Sequence, residues 1–515
     1  MSLQRLKSIR VVVSVAVFIL IGFLFLDIGN FIPSWVTSAV VSFQLIPALT
    51  KSLLSSGIWM IGVAAILLLT VFFGRVYCST LCPLGTLQDL IIRLARKRDR
   101  RRRFTYGKPH YELHYGVLGA TTVLALGGSM VLLNILEPFS NFGRILQGLV
   151  RPVVVGVNNG AAGVLGWFGM YEVYQVPLGG FGIAVVAVPL VLLGVLFYLS
   201  YYHGRLFCNT LCPAGALLGL ISRFALFKIV IDESTCKDCG LCAKVCKARC
   251  IDAENHVVEF SACVSCFNCI DSCPTVGLKY EGFRRERSGA SVDPVDGGRR
   301  NLLAGAMVSA ITLVTSRTDS VAVTPPSGRQ RVPVTPPGSR GVKHFTQLCT
   351  ACHLCVSTCP TQVLTPSLLE YGVAGLFQPK MDYWLSYCNY DCNLCSTICP
   401  SGAILPIALL DKKLVQLGKA QFVKDDCIVI TKKTECGACS EHCPTKAVHM
   451  IPHEKLMLPE VNNDICVGCG ACEHSCPTKP RKAIYVESNF VHLAAKKPEV
   501  KKLEVQEGPA TEFPF

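Results

Sequence analysis

An α-helical membrane anchor joined to small cysteine-rich α+β domains is the fold class this sequence predicts, and three observations lead there. Apolar stretches long enough to cross a bilayer crowd the first 210 residues. A motif, GRVYCSTLCPLG at 74–85, returns as GRLFCNTLCPAG at 204–215. Beyond residue 235, cysteine recurs in six tight runs. The 515 residues are 51% hydrophobic and only 17% charged, too apolar for an ordinary soluble enzyme and too mixed for a pure channel. The length suits about three or four domains. Twenty-nine cysteines, mostly in runs, argue against a small disulfide-stapled secreted domain.

The spans fall at about 11–29, 53–73, 115–135 and 180–200, each near the roughly 20 residues a spanning helix needs. The first is too long for a removable leader and lacks a small-residue cleavage site, so it reads as an anchor. Arg5, Lys7 and Arg10 precede it, and RLARKRDRRRR at 93–103 follows the second span. Loops after spans one and three carry few basic residues, which puts the N-terminus and 74–114 in the cytoplasm. The net charge is +15, from 50 basic and 35 acidic residues. Its basic residues flank spans, so it signals topology and not nucleic-acid binding. The outer loop, 136–179, is apolar and glycine-rich, and 139–155 suits the membrane interface. A fifth apolar stretch, 301–315, lies at the low end of spanning length, with a buried helix as the alternative. After it, 323–342 (with VTPPSG and VTPPGS) reads as a semi-extended linker.

The repeated motif marks a two-helix unit duplicated in parallel, since each copy follows an even-numbered span and faces the cytoplasm. Its cysteines, Cys78, Cys82, Cys208 and Cys212, suit a metal or extra cluster at one membrane face, or two redox-active disulfides. The alternative is a packing and turn motif in which each proline ends a helix.

The six runs follow the spacing Cys-x2-Cys-x2-Cys-x3-Cys, in which three thiolates hold one cubane and the fourth ligates its partner. Cross-ligation pairs Cys236, Cys239 and Cys242 with Cys273, and Cys263, Cys266 and Cys269 with Cys246. Lys247 stands where proline is expected and Cys250 lies nearby, so Cys246 and Cys250 compete for that last place. The next sets are Cys349, Cys352, Cys355 with Cys399, and Cys388, Cys392, Cys395 with Cys359, one gap being a residue longer. The last are Cys427, Cys436, Cys439 with Cys476, and Cys466, Cys469, Cys472 with Cys443, the first gap being x8. Six [4Fe–4S] clusters on 24 cysteines follow, within α+β bacterial-type 2[4Fe-4S] ferredoxin domains. Zinc sites pair Cys-x2-Cys units across longer loops, and Cys349-Thr-Ala-Cys352-His353 matches a haem motif only by accident of the run. The SGAS at 288–291 matches a flavin-attachment pattern without a flavin-sized domain around it. No Walker loop, dinucleotide fingerprint or HExxH site accompanies the runs, and no catalytic residue is assigned. His114 and His203, near the cytoplasmic ends of spans three and four, and Glu137 and Glu172 in the outer loop are the groups to weigh as quinone contacts.

On these motifs, residues 1–280 resemble the NapH-type membrane ferredoxins, with four spans, two Cys-x3-Cys-Pro repeats and a two-cluster cytoplasmic domain. Residues 298–490 resemble the NapG/MauM-type ferredoxins, with four clusters behind a twin-arginine leader that Arg299-Arg300 would supply. The resemblance implies electron relay between the quinone pool and a periplasmic reductase, as a quinol dehydrogenase module of the bacterial inner membrane. Alternatives are an assembly or maturation factor for a respiratory metalloenzyme, and a conduit from a cytoplasmic donor without quinone. The expected organisation is an anchor (1–230), a cytoplasmic dicluster domain (231–285), a linker with the fifth span (286–342), a periplasmic tetracluster domain (343–490) and a tail (491–515).

Overall fold

The computed structural model describes residues 3–54, 57–98, 104–177, 179, 183–282 and 332–497. The fifth apolar stretch, the SGAS segment, Arg299-Arg300, most of the proline-rich linker and the end of the tail lie outside the described residues.

Among the described residues, three helices are long and apolar enough to cross a membrane: Arg5–Leu26, Pro138–Trp167 and Val185–His203. Exposed Val12, Ile19, Phe23, Ile61, Leu68, Leu190 and Val195 cover the helical part, an outer surface suited to lipid. The second expected span is the helix Ile58–Phe73, whose 16 residues rise about 24 Å, short of a ~30 Å hydrocarbon core. The third is broken: Tyr111–Leu126 stops at Gly127-Gly128, Gly128 turns through a left-handed φ of 84°, and Val131–Leu136 follows. The expected outer loop is instead mostly one long helix from Pro138, with a π-helical turn at Leu146–Val150.

Four helices run between two cysteine-rich bodies. At one end of Leu3–Leu26, Lys7 pairs with Asp271 at 2.5 Å. At the other, Phe25 packs at a tilt against Phe139 and Gly143 abuts the Cys352 carbonyl. Ile58–Phe73 follows Lys51, which donates to Cys399 O at 2.6 Å, and ends where Phe73 O accepts from Ser265 Oγ. Tyr111–Leu126 starts with Tyr111 Oη bonded to Glu259 (2.6 Å) and leads to Gly128 against Gln347. Ile183–His203 follows Gly179, which touches Gln362, and ends at Gly204 and Arg205 on Lys247 O. Residues 227–282 and 332–497 therefore cap opposite ends of the same helices.

Both caps are built from two-stranded antiparallel sheets and helices of four to seven residues. In the first, Phe227–Ile231 pairs with Leu278–Gly282. In the second, Val415–Phe422 pairs with Ile484–Ala494, Leu364–Pro366 with Pro379–Met381, and Val448–His453 with Leu456–Val461. Sheets this small bury little by themselves, and the cysteines fill the cores instead.

Candidate iron–sulfur centres

Local backbone geometry explains why the Cys-x2-Cys-x2-Cys spacing works. In four runs the residues flanking the second cysteine are left-handed: Asp238 and Gly240, Ser265 and Phe267, Ala351 and His353, Gly468 and Gly470, with φ between 47° and 80°. Such a pair curls the chain around a point, turning successive N–H groups inward as an anion-binding nest. Non-glycine residues adopt this conformation rarely, so its recurrence at Asp238, Ser265, Phe267, Ala351 and His353 marks function. A short helix then starts beside the third cysteine, at Leu241, Asn268, Leu354 and Ala471. The two runs with altered gaps lack the pair, and Asn393 and Gly437 hold φ of -129° and -126° there.

The structure brings the fourth cysteine of each run to its partner's triad. Cys236, Cys239, Cys242 and Cys273 line one cavity, Cys388, Cys392, Cys395 and Cys359 a second, and Cys427, Cys436, Cys439 and Cys476 a third. Cys355 interacts electrostatically with Cys352, Cys349 and Cys399, and Cys472 with Cys469, Cys466 and Cys443. Cys269 likewise meets Cys266, Cys263 and Cys246. Cys250 lies behind Cys246, the two sulfurs 3.6 Å apart, so both contenders reach that site. The x3 gap is absorbed in a loop and the x8 gap in a helical turn, Ile428–Thr431, and the residues after it. The 24 cysteines of the six runs thus stand in six groups of four. If cross-ligation holds, Cys399→Ser removes the cluster of Cys349, Cys352 and Cys355 and spares that of the neighbouring Cys388 run. Iron counting and reduced-state EPR of the variant check this, and loss of the Cys388-run cluster instead would overturn the pairing.

His353 is no haem ligand: its Nε2 bonds Phe377 O at 2.8 Å, and burial holds its pKa down at about 3. Glu137 is buried as the cap of the helix from Pro138, accepting from Phe139 N at 2.9 Å and from Ser140 N. That role needs no quinone. Glu172 is exposed, and His203 half-buried with Nδ1 unpartnered. His114 is buried against the Cys208 and Cys212 backbone.

The two motif copies pack against the first cysteine-rich domain, Arg75 donating to Ser261 O at 3.0 Å and Asn209 to Ala248 O at 3.2 Å, and extend inward from it. Pro83 and Pro213 begin helices, Pro83–Arg98 and Pro213–Ser222, where a missing N–H costs nothing. The first returns from the interior to the capping domain, where Arg96 donates to Val245 O at 3.2 Å. The preceding turn reaches inward, Tyr77 Oη accepting from Leu45 N at 3.2 Å and Leu81 O from Gln44 at 3.2 Å. Cys78, Cys82, Cys208 and Cys212 are all buried, and each interacts electrostatically with the other three. The copies interlock. Arg205 Nη1 donates to Cys78 O (2.9 Å), and Arg75 Nη2 to Cys208 O (2.9 Å). Gly85 and Gly215 leave room for these crossings, since a Cβ at either would strike the facing cysteine carbonyl.

Asp89 was not singled out by its sequence context. Buried in Pro83–Arg98, it pairs with Arg10, with Arg205 at 2.8 Å and with Lys247 at 3.2 Å. One carboxylate thus ties the first helix, both motif copies and the adjacent ferredoxin domain.

Family models match parts of the chain. A 4Fe-4S binding domain matches residues 56–102 and 185–231, and 4Fe-4S dicluster domains match 348–404 and 433–479. No solved structure matches the chain. The ferredoxin-type protein MauM of Methylobacillus flagellatus is 30% identical over 144 residues, 26% of this chain and 59% of its own. MauN of the same organism is 27% identical over 177 residues, 34% and 49% of the two chains. The chain spans about half the length of several curated relatives it matches. The ferredoxin-type protein NapH of Haemophilus influenzae is covered further, 69% of it aligning at 30% identity over 237 residues, or 44% of this chain. At that identity and coverage this chain belongs to the NapH-type ferredoxin family, whose members are ferredoxin-type electron-transport proteins.

Proposed function

We propose that the chain relays electrons between the membrane quinone pool and a periplasmic redox partner, through six [4Fe–4S] clusters. The observation that carries this reading is the placement of two cysteine-rich domains at opposite ends of the same helices. Lys7–Asp271 stands at one end, and Lys51–Cys399 at the other. With the basic 93–103 loop cytoplasmic, the dicluster domain (231–285) is cytoplasmic and the tetracluster domain (343–490) periplasmic. The four helices running between the domains support a four-span anchor within 1–230. A fifth crossing in 286–342 suits the same topology, since the fourth span ends at the cytoplasmic domain.

A cavity between the helices and the second domain suits a quinone head group. Gln147, Arg151, Val185, Gln362 and Thr365 line it, Gln147 Oε1 is buried without a partner, and Arg151 interacts with Cys359. A conduit from a soluble cytoplasmic donor is the second reading, favoured by Cys239, which is exposed at the rim of its quartet.

Two measurements test this. A phosphatase fused after residue 497 is expected to be active, and activity only from a cytoplasmic reporter there would overturn the trans-membrane arrangement. Quinol is expected to bleach the visible absorption of the anaerobically purified protein. Bleaching by dithionite but not by quinol would sink the quinone step and leave the conduit.

A further inference from the structure

We propose that Lys412 is a positioning residue for the quartet of Cys388, Cys392, Cys395 and Cys359: its ammonium raises the reduction potential of the cluster held there and fits that cluster to take electrons from quinol. The assignment deepens the electron-relay reading and rests on it for the donor. The effect on the potential is independent of quinone.

Lys412 closes the short helix Leu409–Lys412 and is only 5% exposed. Its Nζ donates to Asn389 O at 2.6 Å and to Tyr390 O at 3.0 Å, both in the loop between Cys388 and Cys392. It also bonds the Cys388 side chain and interacts electrostatically with Cys392 and Cys395. Asn389 lines the cavity that the four cysteines form. The next residue, Lys413, has a carboxylate of its own, Asp391 at 2.5 Å. Among the described residues no carboxylate pairs with Lys412, and Asp411 beside it is exposed.

Two carbonyls satisfy the hydrogens of an ammonium but not its charge. Withdrawing that charge from water is costly unless an anion faces it. Four thiolates on a cubane supply the anion, and each electron added makes the cluster more negative. A fixed cation beside the sulfurs therefore favours the reduced form. Net charge and hydrogen bonds at the sulfurs are among the terms that place cubane potentials within their wide range. Lys51 and Lys482 bond the carbonyls of Cys399 and Cys476, whereas Lys412 reaches a ligating sulfur.

A second cation stands beside the same quartet. Arg151, 5% exposed, interacts with Cys359, the fourth ligand, and lines the cavity that suits a quinone head group. Leu364 lines both that cavity and the cysteine cavity, so donor and acceptor sites share a wall. Quinol becomes quinone by losing two electrons and two protons. The cluster takes the electrons singly, passing the first to an oxidised neighbouring cluster before the second arrives. The protons pass to water, and no bond in the cluster forms or breaks.

EPR-monitored redox titration of the full chain, purified anaerobically and held at one pH, tests the assignment. The Cys388-run signal is the one lost in Cys388→Ser. Lys412→Gln keeps a hydrogen-bond donor and removes the charge. It should lower the reduction equilibrium of that cluster about tenfold, ~59 mV for a one-electron couple, and leave the other signals in place. Lys412→Arg should stay near wild type, and Lys413→Gln should shift the signal far less. The initial rate of bleaching by quinol should fall severalfold in Lys412→Gln, with bleaching by dithionite unchanged. Pulsed EPR of reduced wild-type protein grown on 15N-lysine needs no variant, and the Cys388-run signal should carry a lysine nitrogen coupling. An unmoved potential in Lys412→Gln protein that keeps its clusters, or no such coupling in the wild type, would overturn the assignment and leave the relay reading intact. A potential that falls as expected, in protein that quinol never bleaches, would support the role of Lys412 at the cluster and overturn the quinol step.

Discussion

Stripping the iron is expected to unfold residues 332–497, not merely to silence them. Cys349, Cys355, Cys359, Cys388 and Cys399 are core residues there, packed with Phe345, Tyr371, Tyr383 and Leu417. Cys427, Cys439, Cys443, Cys466, Cys472 and Cys476 play the same part around Ala447 and Ile484. The only sheets are two-stranded, and two-stranded hairpins are marginal without a partner face. Removing the clusters leaves cavities lined by thiols where the core should be, so metal binding and folding are one equilibrium. Oxidation with ferricyanide in the presence of a chelator should render 332–497 sensitive to limited proteolysis. The long apolar helices, which owe nothing to iron, should stay resistant. A C-terminal half that resists protease after complete iron loss would show that its own packing suffices.

Asp89→Asn is expected to have the second large effect. The substitution keeps shape and removes the carboxylate that, among the described residues, pairs with Arg10, Arg205 and Lys247. Breaking a buried pair by deleting one partner costs on the order of 3–5 kcal/mol, because the remaining charge is left uncompensated. Here three cations share the loss, and lipid offers no water to take them in. The variant should accumulate poorly in membranes, with a Tm in detergent well below wild type. Asp89→Glu should recover part of it, since the charge survives although the fit does not. An Asp89→Asn protein with wild-type Tm would mean that these cations find other partners.

Much of this protein is written in local pattern. The quartets could be assigned from spacing because the ligating loops are short and their left-handed turns, at Asp238 and Gly240 or Ala351 and His353, follow from a few adjacent residues. The apolar segments were legible for the same reason, as hydropathy is a property of consecutive residues. The same local reading misplaced detail where geometry intervened. The third segment breaks at Gly127-Gly128, a long helix occupies the outer loop, and Pro83 and Pro213 open helices instead of closing them.

By itself the sequence determined the cofactor chemistry and the membrane setting, since ligand spacing and hydropathy act over a few residues. Only the tertiary structure decided where the two Cys-x3-Cys pairs meet, which carboxylate holds Arg10, Arg205 and Lys247, and that two cysteine-rich domains cap opposite ends of the helices. Those outcomes depend on side chains far apart in the chain. Their contacts exist only because inward-turning loops after Phe73 and His203 interlock, and a buried charge must then find its partner wherever packing puts one.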